Sequence, residues 1–246
     1  MPHPAIAAYA SRVTEYVAGR PGYPEALLSD LPLADTIIEL GAGTGKFTTL
    51  LAQTGKRIFA VEPIPEMAAR IGSERLANVE VLIGSAEAIP VSDRAAGLVC
   101  CATAFHWFDY VRATGEIVRT LEQGGALALI WNVPDNRTGW VTAFADVLEG
   151  YAGSTPRRIH GKWRAIFSDA RFEHVTTNFH PHVQPMTTSS IVDRAMSASF
   201  IAGLPYRKQQ VVRRKITSIV DNEPSLAGKN SIDFPYVTEV HTFRTR

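Results

Sequence analysis

A chain of 246 residues with 46% hydrophobic content can bury one sizeable core, and nothing in its length demands a second. Lysine and arginine total 25 against 24 acidic residues, so no global field exists to recruit nucleic acid or an acidic membrane. The two cysteines, Cys100 and Cys101, are adjacent in an apolar run, which excludes a disulfide framework, argues against a metal cluster and suits a reducing compartment. No apolar stretch approaches the roughly 18 residues that span a bilayer, and Met1 to Tyr9 lacks a basic segment followed by an apolar one. A soluble, cytoplasmic protein without nucleic-acid, membrane or metal partners is expected.

From Thr36 to Trp131 short apolar runs alternate with helical patterns, the sequence appearance of parallel βαβ units. Strands are predicted over Thr36 to Leu40, Arg57 to Glu62, Val79 to Ile83, Gly97 to Thr103 and Ala126 to Asn132. Between them Lys46 to Thr54, Glu66 to Arg75 and Val111 to Leu121 carry apolar residues at helical spacing. Gly124-Gly125 is expected to let the chain stop, reverse and enter the fifth strand. Beyond Asn132, Pro134 to Gly139 is turn chemistry, followed by helices near Trp140 to Tyr151 and Pro156 to Asp169. A strand over Phe172 to Val183, helices over Thr187 to Ala202 and Tyr206 to Asn222, and a last strand over Tyr236 to Phe243 complete the pattern.

The segment Glu39-Leu-Gly41-Ala42-Gly43-Thr-Gly45-Lys46 places three glycines after a strand and before a helix, where backbone can approach a ligand that a Cβ would exclude. The ordinary alternative is a tight turn. A dinucleotide loop wants G-x-G-x-x-G, with its third glycine where Lys46 stands, so Gly45 comes one residue early. A phosphate loop needs Ser or Thr after its lysine, and Phe47 follows Lys46. Glu62, about twenty positions after Gly41 and at the end of the next strand, is placed to accept hydrogen bonds from ribose hydroxyls. Loop and acid together imply an adenosine-bearing ligand.

These residues resemble motif I of class I S-adenosylmethionine-dependent methyltransferases, and the likeness extends over nearly the whole chain. Val61-Glu62-Pro63 followed by Met67 looks like the ribose-binding acid and an apolar contact beside adenine. Gly84-Ser85-Ala86-Glu87-Ala88-Ile89-Pro90 looks like the adenine-proximal segment, with Ser85 or Glu87 standing where many relatives carry an aspartate. Ala104-Phe105-His106-Trp107-Phe108 and Leu121 to Asn132 resemble the later motifs of a subgroup that includes relatives of trans-aconitate methyltransferase, as do Gly19-Arg20-Pro21-Gly22-Tyr23-Pro24 and Phe234 to Glu239. The resemblance implies one α/β domain with a Rossmann-like, seven-stranded, mostly parallel sheet, helices on both faces and an antiparallel last strand. Its parts would be a helical lid (1–35), a cofactor-binding core (36–133), a helical cap with the sixth strand (134–232) and the last strand (233–246). It implies S-adenosyl-L-methionine as cofactor, held by Arg20, Glu39, Gly41, Ala42, Gly43, Gly45, Glu62, Pro63, Met67, Ser85, Ala86, Glu87, Thr103 and Phe105.

Methyl transfer from a sulfonium is an in-line displacement on an electrophile that arrives activated, so positioning and exclusion of water supply much of the acceleration. A carboxylate acceptor needs no base; for a hydroxyl or amine, His106, just past the fourth strand, is the candidate base, its alternative role being to shape the pocket. Arg20 is a candidate partner for the cofactor's carboxylate or for an acidic substrate. Tyr16, Tyr23, Trp107 and Trp131 are candidates to lie beside the substrate, although core packing is the commoner use of aromatics. The expected function is methyl transfer to an oxygen, nitrogen or carboxylate of a small metabolite. The alternatives are a Rossmann-type nucleotide-dependent oxidoreductase and a non-catalytic S-adenosylmethionine-binding protein.

Overall fold

The computed structural model describes residues 20–246. Seven strands form one sheet in the order β3-β2-β1-β4-β5-β7-β6: β1 (Thr36–Leu40), β2 (Arg57–Glu62), β3 (Val79–Ile83), β4 (Ala96–Ala102), β5 (Leu121–Pro134), β6 (Phe172–Met186) and β7 (Ile232–Thr245). The first five pair in parallel, with Ile38 opposite both Phe59 and Val99. The order reverses between β1 and β4, which makes their carboxyl ends the switch point where open α/β sheets take ligands. The last strand runs against its neighbours. Thr245 bonds to the carbonyl of Gly125, Thr238 to Asn132, and Asp135 to the carbonyl of Pro235, so each step forward on β5 meets a step backward on β7. Thr176 with Thr242 and Thr177 with His241 show the same sense between β7 and β6.

The connecting helices α1 (Lys46–Ala52), α2 (Pro65–Ser73) and α3 (Tyr110–Thr120) form where predicted. Gly45 in the left-handed region turns the chain into α1, Pro65 opens α2 with its preset φ, and Asp109 caps α3 by accepting from the Arg112 amide at 3.2 Å. Their buried faces join a core of Ile37, Phe47, Leu51, Ile58, Leu98 and Ile130.

Two expectations are corrected. Gly124-Gly125 do not end a helix and start a strand. β5 already begins at Leu121, and the glycines sit inside it, where the register slips between the pairs Ala96–Leu121 and Leu98–Ala126; Gly124 at φ +72° permits that bulge. Pro156 to Asp169 is not one helix but two 3-10 turns, Arg158–His160 and Lys162–Ser168, separated by Gly161 at φ +72°. Elsewhere differences are at boundaries, except that the helix expected over Thr187 to Ala202 divides into α5 (Thr188–Met196), started by a Thr187/Ser190 capping box, and α6 (Ser199–Ala202). The remaining helices are α4 (Gly139–Glu149) and α7 (Tyr206–Asp221). No described helix is long and apolar enough to cross a membrane.

Contacts divide the chain into two compact units. One comprises Tyr23–Asn132, Pro156–His180 and Thr238–Arg246; the other includes Val133–Thr155 and Pro181–Val237. The second unit has its own core. Phe234 meets Trp140 edge to face at 5.1 Å and Phe144 at 5.2 Å, stacks on Tyr236 at 4.9 Å, and is fully buried. Around these rings close Ile191, Val192, Ala195, Val212 and Ile216 from α5 and α7. Truncating Phe234→Ala removes a ring from three aromatic contacts at once. Chemical denaturation should show a loss of about 3–5 kcal/mol, with α4, α5 and α7 losing hydrogen-exchange protection first.

Candidate functional site

The three motif glycines all adopt left-handed backbone: Gly41 at φ +69°, Gly43 at +59° and Gly45 at +90°. They do so for different reasons. A Cβ on Gly41 would stand 2.6 Å from the Ala104 Cβ, so the loop and the segment after β4 pass closer than any side chain allows. A Cβ on Gly45 would meet Ile71 of α2 at 3.1 Å, a packing restriction. Around Gly43 no described residue lies within 4 Å of such an atom. Two of the glycines therefore close the structure, and against the backbone of the third no described side chain packs.

The loop is pinned to the end of β2. The Gly41 and Ala42 amides donate to the Val61 carbonyl at 2.9 and 3.2 Å, and the Gly43 amide donates to Glu62 Oε2 at 2.8 Å. The Ile64 amide takes Glu62 Oε1 at 3.0 Å. Each carboxylate oxygen has two lone-pair positions, so both oxygens keep one for a further donor. Burial raises the Glu62 pKa, and the amides of Gly43 and Ile64 work against that rise. The Thr44 hydroxyl is buried and has no hydrogen-bond partner among the described residues. Bare backbone at Gly43, a carboxylate with spare acceptor positions and an unmet hydroxyl in one loop fit an adenosine ribose.

Glu39, 1% exposed, lies below the loop and accepts from Thr48 Oγ1 of α1 at 2.6 Å. Burial pushes its pKa up to about 8; the Thr48 hydroxyl opposes this and the charge of Glu62 adds to it. Behind it the thiols of Cys100 and Cys101 are fully buried, and burial holds both as thiols.

Beyond β4 the chain turns under strain. Thr103, a β-branched residue, sits at φ +56°, a conformation that costs on the order of 1–3 kcal/mol. Its amide donates to the Ile130 carbonyl at 2.7 Å and its hydroxyl meets the Tyr23 hydroxyl at 3.0 Å. A single 3-10 turn, Phe105–Trp107, follows. It buries Phe105, which packs edge to face with Phe108, and leaves His106 and Trp107 half-buried. Trp131 Nε1 donates to His106 Nδ1 at 3.3 Å. A ring nitrogen that accepts carries no proton, so the neutral imidazole holds its hydrogen on Nε2.

Of the residues singled out from sequence, the structure joins Glu62 to Gly43, Thr103 to Tyr23 and His106 to Trp131. Ser85 bridges to Ala88, Ala86 is buried, and Glu87 Oε1 accepts from the Asp109 amide at 2.9 Å, tying the loop after β3 to the start of α3. Met67 is buried on the inner face of α2, Pro63 is exposed, and Arg20 is half-buried. Tyr16 lies outside the described residues. Trp131, 1% exposed, reaches the site through its bond to His106.

A layer behind His106 escapes the sequence reading. Trp163 lies 4.5 Å from Trp131 and 5.0 Å from His241, whose Nδ1 meets Thr177 Oγ1 at 2.9 Å. Glu239 accepts from Arg158 at 2.8 Å. The alternation along β7 that puts Glu239 and His241 on one face was visible, but nothing local links them to residues a hundred positions earlier.

A Rossmann-like sheet whose β1 loop and β2 acid are hydrogen-bonded beside bare glycine backbone defines an adenosine-binding enzyme fold. The comparisons with known proteins narrow it. Residues 38–129 match the methyltransferase domain family. Over 232 residues the chain is 34% identical to an uncharacterized methyltransferase of Mycobacterium tuberculosis, covering 94% of this chain and 92% of that one. It is likewise 34% identical over 233 residues to a methyltransferase-like protein of Schizosaccharomyces pombe, at 92% and 91% coverage. Among solved structures, a proposed type II methyltransferase from Anaeromyxobacter dehalogenans superposes with a TM-score of 0.68 at 18% identity, over 92% of this chain and 97% of that one. The [4+2]-cyclase SpnF superposes at 0.51 and 17% identity, over 92% and 83%; likeness at this level concerns the fold. The chain belongs to the class I S-adenosylmethionine-dependent methyltransferases and is an enzyme of that family.

Two predictions test the site. Gly43→Ala should weaken S-adenosylhomocysteine binding by on the order of tenfold in calorimetry with little loss of stability beyond the ~1 kcal/mol of left-handed alanine. Gly41→Ala should instead destabilise the fold through its clash with Ala104; equal binding losses with equal stability losses would show the cradle reading of Gly43 to be wrong.

The second concerns Glu39 in the ligand-free protein. Its folded pKa lies above its unfolded one, so between about pH 4.5 and 8 only the folded form holds the proton. Stability from this group is complete below that window and declines as pH rises through it, by up to about 1.4 kcal/mol per pH unit. Glu39→Gln keeps an acceptor for Thr48 and removes the titration. Relative to wild type it should gain stability from pH 5.5 to pH 7.5; a constant difference between the two proteins would exclude a buried, protonated Glu39.

Proposed function

We propose that the protein transfers the methyl group of S-adenosyl-L-methionine to an oxygen, nitrogen or carboxylate of a small metabolite. The observation that carries the reading is the Glu62–Gly43 hydrogen bond beside bare backbone. Glu62 would hold the ribose with its remaining acceptor positions, Gly43 and Ala42 would let the ligand lie against backbone, and Ser85, Ala86 and Glu87 would border adenine. The bound cofactor supplies a sulfonium-activated methyl group, so the chain's own residues position the acceptor and exclude water.

His106 is assigned a different part from that of a base. With Nδ1 accepting from Trp131, the neutral imidazole carries its proton on Nε2, which makes the ring a donor rather than a base. An oxyanion needs no deprotonation at the moment of transfer, and this favours a carboxylate over an amine.

Incubating the protein with methyl-labelled cofactor and a metabolite extract should yield a labelled small molecule. Calorimetry should show binding of S-adenosylmethionine and S-adenosylhomocysteine and none of NAD; tight NAD binding without either sulfur ligand would refute the proposal. On the acceptor so recovered, His106→Asn, which retains a donor, should stay within about tenfold of wild type. Loss of a general base costs about 10²–10⁴, so a loss of that size in both His106→Asn and His106→Ala, with a rate that rises as the imidazole deprotonates, would return His106 to the role of base.

A further inference from the structure

The helical unit contains a positive charge that its described residues do not neutralise. Arg194, in the last turn of α5, is 8% exposed. Its Nε donates to the Tyr236 hydroxyl at 3.2 Å. Among the described residues no carboxylate stands within ion-pair distance of it. Asp193, its neighbour in the chain, faces Arg213 at 3.9 Å instead.

A charge removed from water to this extent is costly unless it is paired, and one neutral phenol does not pair it. Position at a helix C-terminus offsets part of that cost, but the same benefit would be available to a solvent-exposed arginine. The guanidinium is a planar fork of five donors, of which Tyr236 engages one. What remains is the geometry that recognises a carboxylate or phosphate through two parallel hydrogen bonds.

The surroundings are those of a built site. Tyr236 is 1% exposed and stacks between Phe234 at 4.9 Å and His182 at 5.6 Å, which fixes the phenol and so the arginine bonded to it. The strand alternation puts Gln184 on the same face of β6 as His182. Gln184 Oε1 is buried and has no hydrogen-bond partner among the described residues. An acceptor oxygen does not bind an anion, so the site rests on Arg194 and on the Tyr236 hydroxyl that orients it.

We propose that Arg194 is the counter-charge in an anion-binding site of the helical unit, and that the anion is an organic carboxylate. The site is argued within the helical unit and does not rest on the methyl-transfer reading. Phosphate shares the chemistry, so both are probed.

S-adenosylhomocysteine binding is measured first in each variant and reports the cofactor site alone. Citrate and inorganic phosphate are then titrated by calorimetry at matched ionic strength. Wild type should bind citrate saturably and more tightly than phosphate. Arg194→Met, of similar length and uncharged, should bind S-adenosylhomocysteine as wild type does, should be at least as stable without citrate, and should bind citrate at least tenfold more weakly. Arg194→Lys, which keeps the charge and loses the fork, should fold like wild type and fall between the two. Equal citrate affinity in wild type and both variants, or no citrate binding by wild type, would overturn the site. Phosphate bound more tightly than citrate would overturn the carboxylate. Failure to bind S-adenosylhomocysteine would count against the methyltransferase reading while the citrate comparison still decides the site.

Discussion

The hydrogen bond from the Gly43 amide to the Glu62 carboxylate is the constraint on which the cofactor half depends. It joins the loop after β1 to the end of β2, two segments that parallel pairing brings side by side but does not hold in one conformation. An amide turned outward at that point requires left-handed backbone, and a side chain there would occupy the space that the turn creates. Glu62 is costly where it lies, as its raised pKa records. Two backbone donors keep that cost tolerable and also fix the carboxylate's direction. A rigid acceptor is a better reader of a diol than a mobile one, because little side-chain freedom remains to be lost on binding.

From that loop the site extends by steric consequence. Gly41 lets Ala104 come close, so the chain leaving β4 must turn at once, and Thr103 absorbs the turn in a conformation unfavourable to a β-branched residue. The strain is held by a bond to Ile130 and by the Tyr23 hydroxyl, one from β5 and one from ahead of β1. The turn that follows delivers His106 to Trp131 of β5, which selects the imidazole tautomer. Three strand ends therefore collaborate, each positioned by the one before. Removal of any one would alter the chemistry offered by the next, and for that reason strain at Thr103 is tolerated rather than relieved.

Much of this was legible in the sequence, for identifiable reasons. Glycines at fixed offsets between an apolar strand and a helix, with an acid one strand later, can be read because the backbone demands are local. Strand and helix positions through Trp131 follow from uninterrupted periodicity. The bulge at Gly124-Gly125 was not legible, since two glycines after a helix serve equally as a stop or as a slip inside a strand. The segment Pro156 to Asp169 has helix-like spacing, but only its left-handed Gly161 decides that it breaks into two 3-10 turns. The aromatic layer of Trp163 and His241 behind Trp131 depends on antiparallel entry of β7 beside β5, a pairing between segments far apart in the chain. His106 was found by position, whereas its protonation pattern belongs to a partner 25 residues away that only the fold supplies.

A net charge of +1 suggested no preference for ligand sign, and the fold adds none, since a cyclase and methyltransferases share this architecture. The distribution of buried charge is more informative. In the cofactor half, buried ionisable groups such as Glu39 and Glu62 are acids, both with raised pKa values. In the helical half, Arg194 is a buried base without an acid among the described residues. Totals nearly cancel across the chain, but the buried groups named here differ in sign between the two halves. Low dielectric makes the local imbalance count, because a charge in the interior is screened much less than one at the surface. The fold tolerates such groups only where they stay protonated, as Glu39 does, or where hydrogen bonds hold them, as at Glu62. Arginine has no such escape, since its guanidinium does not deprotonate in proteins. Among the described residues Arg194 is therefore a buried charge with no carboxylate standing as its partner.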